Sequence, residues 1–246
     1  MARHWRRPRA FAVALAFAGS AFFLSLGSWQ VRRAHEKEAL FAAFDAAATQ
    51  APVALEQARR DVDPKHYPRV HVGGRYDPLH AYVLDNQVRD GRPGVMVFDV
   101  FEPADGGVPL LANRGFLARD ARGEPPAIPP PPGGDIELTA LYAPPPGSGL
   151  RIGGNALPRQ AQWPKTGIYI DLGDIEADLG RKLDPRVLLL VSESAGGAAP
   201  FVREWRPEVF PPERHYGYAF TWFTFAAIVV AIFVALHWRS KETDPQ

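Results

Sequence analysis

Of the seven histidines in this chain, one stands where its chemistry could be used. His215 lies beside Tyr216 and Tyr218, at the mouth of a long apolar run. A neutral imidazole there is a competent ligand for a haem iron. It is also at home at a membrane interface for ordinary reasons, because polar side chains at helix ends snorkel. His237 borders the other end of the same run. With a rise of ~1.5 Å per residue the two are about 33 Å apart, too far for one iron. His66 and His71 differ by an odd number, so on one strand they face opposite sides and make a poor joint metal site. The carboxylates Asp61, Asp63, Asp77, Asp85, Asp90 and Asp99 are spread over turns, and no pair stands out as an acid/base dyad. Gly147-Ser148-Gly149 sits in a Pro-Gly loop, without the strand-to-helix context of a nucleophile elbow. There is no HExxH, no Gly-rich phosphate loop and no nicotinamide fingerprint. Cysteine is absent, which excludes thiol chemistry, disulfide staples and cysteine-ligated metal.

The elements that must position His215 are two hydrophobic helices. One apolar run extends from Ala10 to Trp29 and the other from Tyr218 to Trp238. Each is about the ~20 residues needed to cross a ~30 Å hydrocarbon core. Arg3, Arg6, Arg7 and Arg9 precede the first run with no acidic residue among them. Arg239 and Lys241 follow the second, offset by Glu242 and Asp244. The positive-inside rule then puts both termini in the cytoplasm and the middle segment across the membrane. The expected layout is a cytoplasmic tail over 1–9, a transmembrane helix over 10–29, a periplasmic domain over 30–214, a second transmembrane helix over 215–238 and a tail over 239–246. A cleaved signal peptide is the competing reading of the first run, with Ala16-Phe17-Ala18 before Gly19 as its site. Against it, the run continues through Phe22, Phe23, Leu24 and Leu26. The tail before the first run is too short for a mitochondrial presequence plus anchor, which makes a bacterial inner membrane the simpler expectation. A net charge of +1 gives no reason to expect a nucleic-acid partner.

The first helix is expected to outrun the membrane. Leu26, Trp29, Gln30, Arg33, Lys37 and Leu40 keep helical spacing, and the helix should end before Pro52. Arg33 and Lys37 are like charges on one face, facing an acidic partner, lipid phosphates or plain water. Beyond Pro68 the period changes. Val70, Val72 and Tyr76 predict one strand, and Tyr82-Val83-Leu84 a second. Turns at Asp90–Gly94 and Asp105–Gly107 bracket a strand over Val95–Phe101, with Pro109–Ala118 as its hairpin partner. Gly123–Asp135 reads as an extended proline-rich loop. Further strands are expected over Ile136–Tyr142, Gly167–Leu172 and Arg186–Ser192, with Asp174 capping a short helix over Ile175–Leu183. The fold class is therefore two transmembrane helices flanking a mainly-β (α+β) domain, its antiparallel sheet closed as a barrel or sandwich.

In order along nearly the whole chain, several segments resemble one family. They are Gly27-Ser28-Trp29-Gln30 with Arg33 and Lys37; Val72-Gly73-Gly74-Arg75-Tyr76; the paired glycines Gly91 and Gly94; and Asn113-Arg114-Gly115 before an aromatic. Asn155, Pro158, Trp163 and Asp171 follow, then His215, Tyr218, Ala219, Thr221 and Trp222. Together they resemble the SURF1 family of cytochrome c oxidase assembly factors. Phe116 stands where that family usually has Trp, and Leu84-Asp85-Asn86-Gln87 is a loose match to its Asn-Arg. The resemblance implies a non-enzymatic assembly factor for a haem-copper terminal oxidase. Such a factor binds haem a and assists its insertion into the oxidase core subunit. The implied iron ligand is His215, with Trp222, Trp29 and Arg114 as cofactor contacts. The implied partners are the oxidase core subunit, haem a synthase and the lipid bilayer. A membrane-tethered scaffold that stabilises assembly intermediates without touching haem is the alternative; the missing catalytic constellation argues against a membrane-anchored hydrolase. Arg114 has two open readings, a propionate or acidic partner, and an ion pair inside the domain. Trp29 and Gln30 likewise read as interfacial anchors or as haem or oxidase contacts.

Overall fold

The computed structural model describes residues 3–5, 7–61, 63, 66–147, 154–193, 201–207 and 209–240. The expectations resting on Arg6, Ser148, Gly149, Lys241, Glu242 and Asp244 lie outside them. In chain order the elements are β1 (Arg3–Trp5), α1 (Ala10–Thr49), β2 (Val53–Ala54), α2 (Leu55–Arg59), β3 (Arg69–Arg89), β4 (Arg92–Pro103) and β5 (Leu110–Ala118). Then come β6 (Ile136–Ala143), β7 (Lys165–Gly167), α3 (Leu172–Leu179), β8 (Val187–Glu193), α4 (Pro212–His237) and β9 (Trp238–Ser240). They fall into two compact units, Met1–Phe41 with Val209–Gln246, and Ala42–Glu208.

The first unit is a helix pair. α1 has 40 residues without a helix breaker after Gly27, which at ~1.5 Å per residue makes it about 60 Å long, roughly twice a hydrocarbon core. It ends at Thr49, before Pro52, as its periodicity required. α4 starts on Pro212, where a proline has no intrahelical N–H to lose. Both helices have the length and apolarity to cross a membrane. They run antiparallel: Gly19 lies against Val229, Phe23 against Trp222 and Phe225, and Gly27 against Phe223. β1 pairs β9 antiparallel, Trp5 opposite Trp238. The contacting face of α1 is Gly19, Phe23, Gly27, Gln30 and Ala34, spaced four, four, three and four. Small residues on such a face let backbones approach closely. At Gly27 any Cβ would run into the Phe223 ring.

The second unit is the sheet. Its hydrogen-bonded order is β2-β3-β4-β5-β8-β6, and β6 also pairs β3. The ladder β3-β4-β5-β8-β6 therefore returns to its first strand. β3 makes this possible by serving two neighbours: Arg69–Gly74 pairs β6, and Gly74–Arg89 pairs β4. Register shifts between Tyr76 and Ala81 and between Leu84 and Gln87 bend it. The two strands expected at Val70–Tyr76 and Tyr82–Leu84 are thus one irregular strand. Bulges re-aim a strand without ending it, so a break in alternation mimics a break in the chain.

The sheet is mixed, which corrects the antiparallel expectation. β8 lies between β5 and β6, parallel to β5 and antiparallel to β6. β2 and β7 each lie parallel to β3. The strand expected over Gly167–Leu172 is only the short β7, because Asp171 begins a helix instead. Its carboxylate accepts from the Asp174 N–H at 2.9 Å, so Asp171 rather than Asp174 is the cap. Gly180, at φ 67°, stops the helix short of Leu183. The Asp90-Gly91 turn has positive φ at both residues, 48° and 74°, the hairpin geometry whose twist matches the strands it joins. One core lies among Val70, Val72, Phe101, Leu110, Leu138 and Leu190, and another under α3 among Tyr82, Phe98, Leu111 and Ile175. Each such side chain stabilises the fold by about 1.5–3 kcal/mol.

Candidate functional site

The helix pair carries His215 in the first turn of α4. Its Nδ1 lies 2.8 Å from Gln30 Oε1 on α1. An amide oxygen only accepts, so the ring proton sits on Nδ1, and in a neutral ring Nε2 carries the lone pair. That Nε2 is buried and has no hydrogen-bond partner among the described residues. Two turns further along α1 from Gln30, Glu38 accepts from the Tyr216 hydroxyl at 2.9 Å. Two turns along α4 from His215, Trp222 stacks on Phe23 with ring centroids 5.9 Å apart and meets Phe225 edge-on at 5.8 Å. His215 and Trp222 thus share the face of α4 that packs on α1. Trp29 is one residue from Gln30 and off that face, with 47% of its surface exposed. Arg33 is paired on its own helix, with Glu36 at 2.6 Å, and the pair is exposed.

Arg114 belongs to the other unit, on β5, and is 2% exposed. Its Nη1 donates to Asp99 at 3.1 Å and to the Pro129 carbonyl at 2.8 Å, and its Nη2 donates to the Pro130 carbonyl at 3.4 Å. The Phe201 ring lies 4.6 Å from the guanidinium carbon. Of the two readings of this arginine, the geometry is that of the ion pair inside the domain. A side chain so enclosed offers no face to an outside propionate, which corrects Arg114 as a cofactor contact. Next to it, Gly115 has φ 128°, and a Cβ there would lie 2.8 Å from the Val202 carbonyl. The Asn-Arg-Gly motif therefore serves close backbone approach and internal pairing. Phe116, the departure from the usual Trp, is buried in the core at 2% exposure.

The remaining titratable clusters lie in the β-domain. His66 contacts Asp61 and His71 contacts Glu137, so the two histidines have separate partners; His66 lies before β3, so the two do not share a strand. Among the described residues, no group of three or more His, Asp or Glu side chains is arranged to hold a metal. Arg181 bridges Asp77 and Glu102 at 2.8 and 2.9 Å. The guanidiniums of Arg181 and Arg75 hold the Glu102 carboxyl below its ordinary value. Lys165 meets Asp178 at 2.5 Å, and Asp178 accepts from the Tyr82 hydroxyl at 3.0 Å. Burial first, and Asp178 second, push that phenol up.

Sequence reasoning singled out His215 and Gln30 separately and missed that they touch. The signal was present: Gln30 is the polar member of the Gly19-Phe23-Gly27-Gln30-Ala34 stripe, and a lone amide on a packed apolar face needs a partner. The exposed Tyr216–Glu38 bond was also missed, and no packed apolar face marks it in the sequence.

A membrane-capable helix pair bracketing a ring of β-strands, with a histidine on the helix interface, defines a membrane protein carrying one β-rich domain. The family model of the SURF1 family matches residues 17–227. A SURF1-like protein of Monosiga brevicollis is 27% identical over 230 residues, covering 86% of this chain and 82% of that protein. The chain belongs to the SURF1 family, and membership implies a role in cytochrome c oxidase assembly.

Proposed function

We propose that this protein holds haem a on its helix pair and hands it to the oxidase core subunit, with His215 as the iron ligand. The observation that carries this reading is the His215 Nε2, a buried lone pair with no partner among the described residues. Leaving such an acceptor unsatisfied costs about 1–3 kcal/mol, and an apolar side chain at the same place would pack without that penalty. When bound, haem a supplies an iron that accepts one imidazole lone pair. A single neutral ligand suits cargo that must leave again, whereas two would hold it too well. Trp222, Phe23 and Phe225 supply an apolar wall, and the exposed Trp29 anchors the helix at the membrane interface. Because Nε2 is covered, its neighbours must shift before iron reaches it.

The reading places the protein in a bacterial inner membrane, both termini cytoplasmic, with haem a synthase as donor and the oxidase core subunit as acceptor. The arginines before α1 favour that orientation. The test is to purify the protein from cells that make haem a, record its visible spectrum, and repeat with His215→Ala. Haem in the unmutated protein and loss of most of it in the variant are the expected results. A haem-free unmutated protein that still supports oxidase assembly would leave the scaffold reading; retained haem in the variant would remove His215 as the ligand.

A further inference from the structure

We infer that Gln30 is a positioning residue for His215: it selects the Nδ1–H tautomer, turns the Nε2 lone pair outward from that bond as the ligating atom, and keeps the resulting metal bond weak. The inference deepens the haem reading and rests on it only for the identity of the metal centre. Three observations carry it. Gln30 Oε1 and His215 Nδ1 are 2.8 Å apart across the helix interface. The opposite ring nitrogen is buried and unpartnered. Gln30 is held in place because it lies on the packed stripe between Gly27 and Ala34, and Ala34 is fully buried.

The other buried orphans among the described residues are the Nε atoms of Arg69 and Arg114. Each belongs to a guanidinium with at least one terminal nitrogen engaged. His215 is different, since its orphan is its only acceptor. A hydrogen bond whose sole purpose was to join two helices would need no nitrogen left over. A ring proton fixed on one nitrogen is instead how proteins aim the other at a metal. The partner chosen also matters. A carboxylate on Nδ1–H raises the basicity of the ligating nitrogen, while an amide is neutral and does so less. Gln30 therefore aims the histidine without strengthening its hold, as release of cargo demands.

The test uses full-length protein in detergent, labelled with 15N on histidine, without haem. The ring 15N shifts of His215, assigned with His215→Ala, should report the Nδ1–H tautomer in the unmutated protein and in Gln30→Glu. They should report the Nε2–H tautomer or a mixture in Gln30→Leu. Titration with purified haem a should then show affinity about 10–100-fold weaker for Gln30→Leu, the usual loss for a residue behind a metal ligand, and tighter binding with slower release for Gln30→Glu. Helix pairing is checked in each variant by cross-linking a Gly19→Cys, Val229→Cys pair, whose positions are in contact. An Nε2–H tautomer in the unmutated protein, or an unchanged tautomer in Gln30→Leu with pairing intact, overturns the inference. If the tautomers behave as expected and the unmutated protein takes no haem a, the haem reading fails and the positioning role of Gln30 stands.

Discussion

In the β-domain, buried charge meets its partner. Arg114 and Asp99 are 3.1 Å apart at 2% and 1% exposure, and Asp184 takes Arg59 at 2.8 Å and the Tyr142 hydroxyl at 2.6 Å. In the helix pair, His215 has one partner and one empty nitrogen. The first arrangement is what a stable scaffold needs, because each of these desolvated charges has a local partner, even though the Nε atoms of Arg69 and Arg114 are left over. The second leaves an unmet demand, and unmet demand at a buried acceptor is what a ligand can satisfy. The two units thus differ in what their polar residues are for. The β-domain uses them for shape, and on the proposed reading the helix pair uses one of them for binding.

The largest expected effect breaks the scaffold side of that contrast. Asp99→Ala leaves the Arg114 guanidinium buried without its counter-charge, and removing one partner of a buried pair costs about 3–5 kcal/mol. Urea unfolding followed by tryptophan fluorescence should show this as a lower midpoint. A loss below about 1 kcal/mol, the scale of an exposed pair, would mean that the pairing does not organise the domain.

A smaller effect is expected in the helix pair. In Gly27→Leu the new side chain meets the Phe223 ring, and overpacking a close contact costs about 1–3 kcal/mol. Since the chain has no cysteine, the yield of the Gly19→Cys, Val229→Cys cross-link reads pairing without background. It should fall in Gly27→Leu, and fall less in Gly27→Ala, whose single Cβ meets the same ring. Equal yields in all three would show that α1 and α4 do not depend on this notch. If the haem reading holds, loss of pairing should also lower haem a content while leaving the β-domain's urea midpoint in place.

How legible each unit was follows from the range of the contacts that define it. The helices and most strands were readable, because a 3.6 or 2 period is written within ten to twenty residues. The end of α1 before Pro52 and the Asp90-Gly91 hairpin are cases of local chemistry deciding local structure. What escaped was set at a distance. That β8 would insert parallel to β5 depends on the path of the intervening chain, and no residue in β8 records its neighbours. The continuity of β3 was hidden by its own bulges. Asp171 outcompeted Asp174 as a cap because the helix began three residues earlier than its apolar pattern did. At the site, His215 was visible as a residue type beside a span, but its partner lies 185 positions away, and Arg114 revealed its burial only once Asp99 and the proline-rich loop had closed over it.

The smallest effect sharpens the scaffold side. Glu102 is held below its ordinary value first by its hydrogen bond from Arg181, then by that from Arg75. Asp77 is also lowered, although burial opposes it, because the Leu79 N–H and His80 donate to it. A carboxyl with a depressed folded value contributes stability that is present above its unfolded value and lost as pH falls through the folded one. The β-domain should therefore lose stability as pH falls below the ordinary carboxylate range of about 4. Arg181→Met removes the bridge between the two carboxylates, so it should lower the urea midpoint slightly at pH 7 and flatten its acid dependence. Glu102 and Arg181 are each about a third exposed, at 31% and 34%, and solvent screening keeps the change small. An acid dependence as steep in Arg181→Met as in the unmutated protein would move the acid-sensitive contact elsewhere, with Asp85 and its partner Arg119 at 2.6 Å the next to examine.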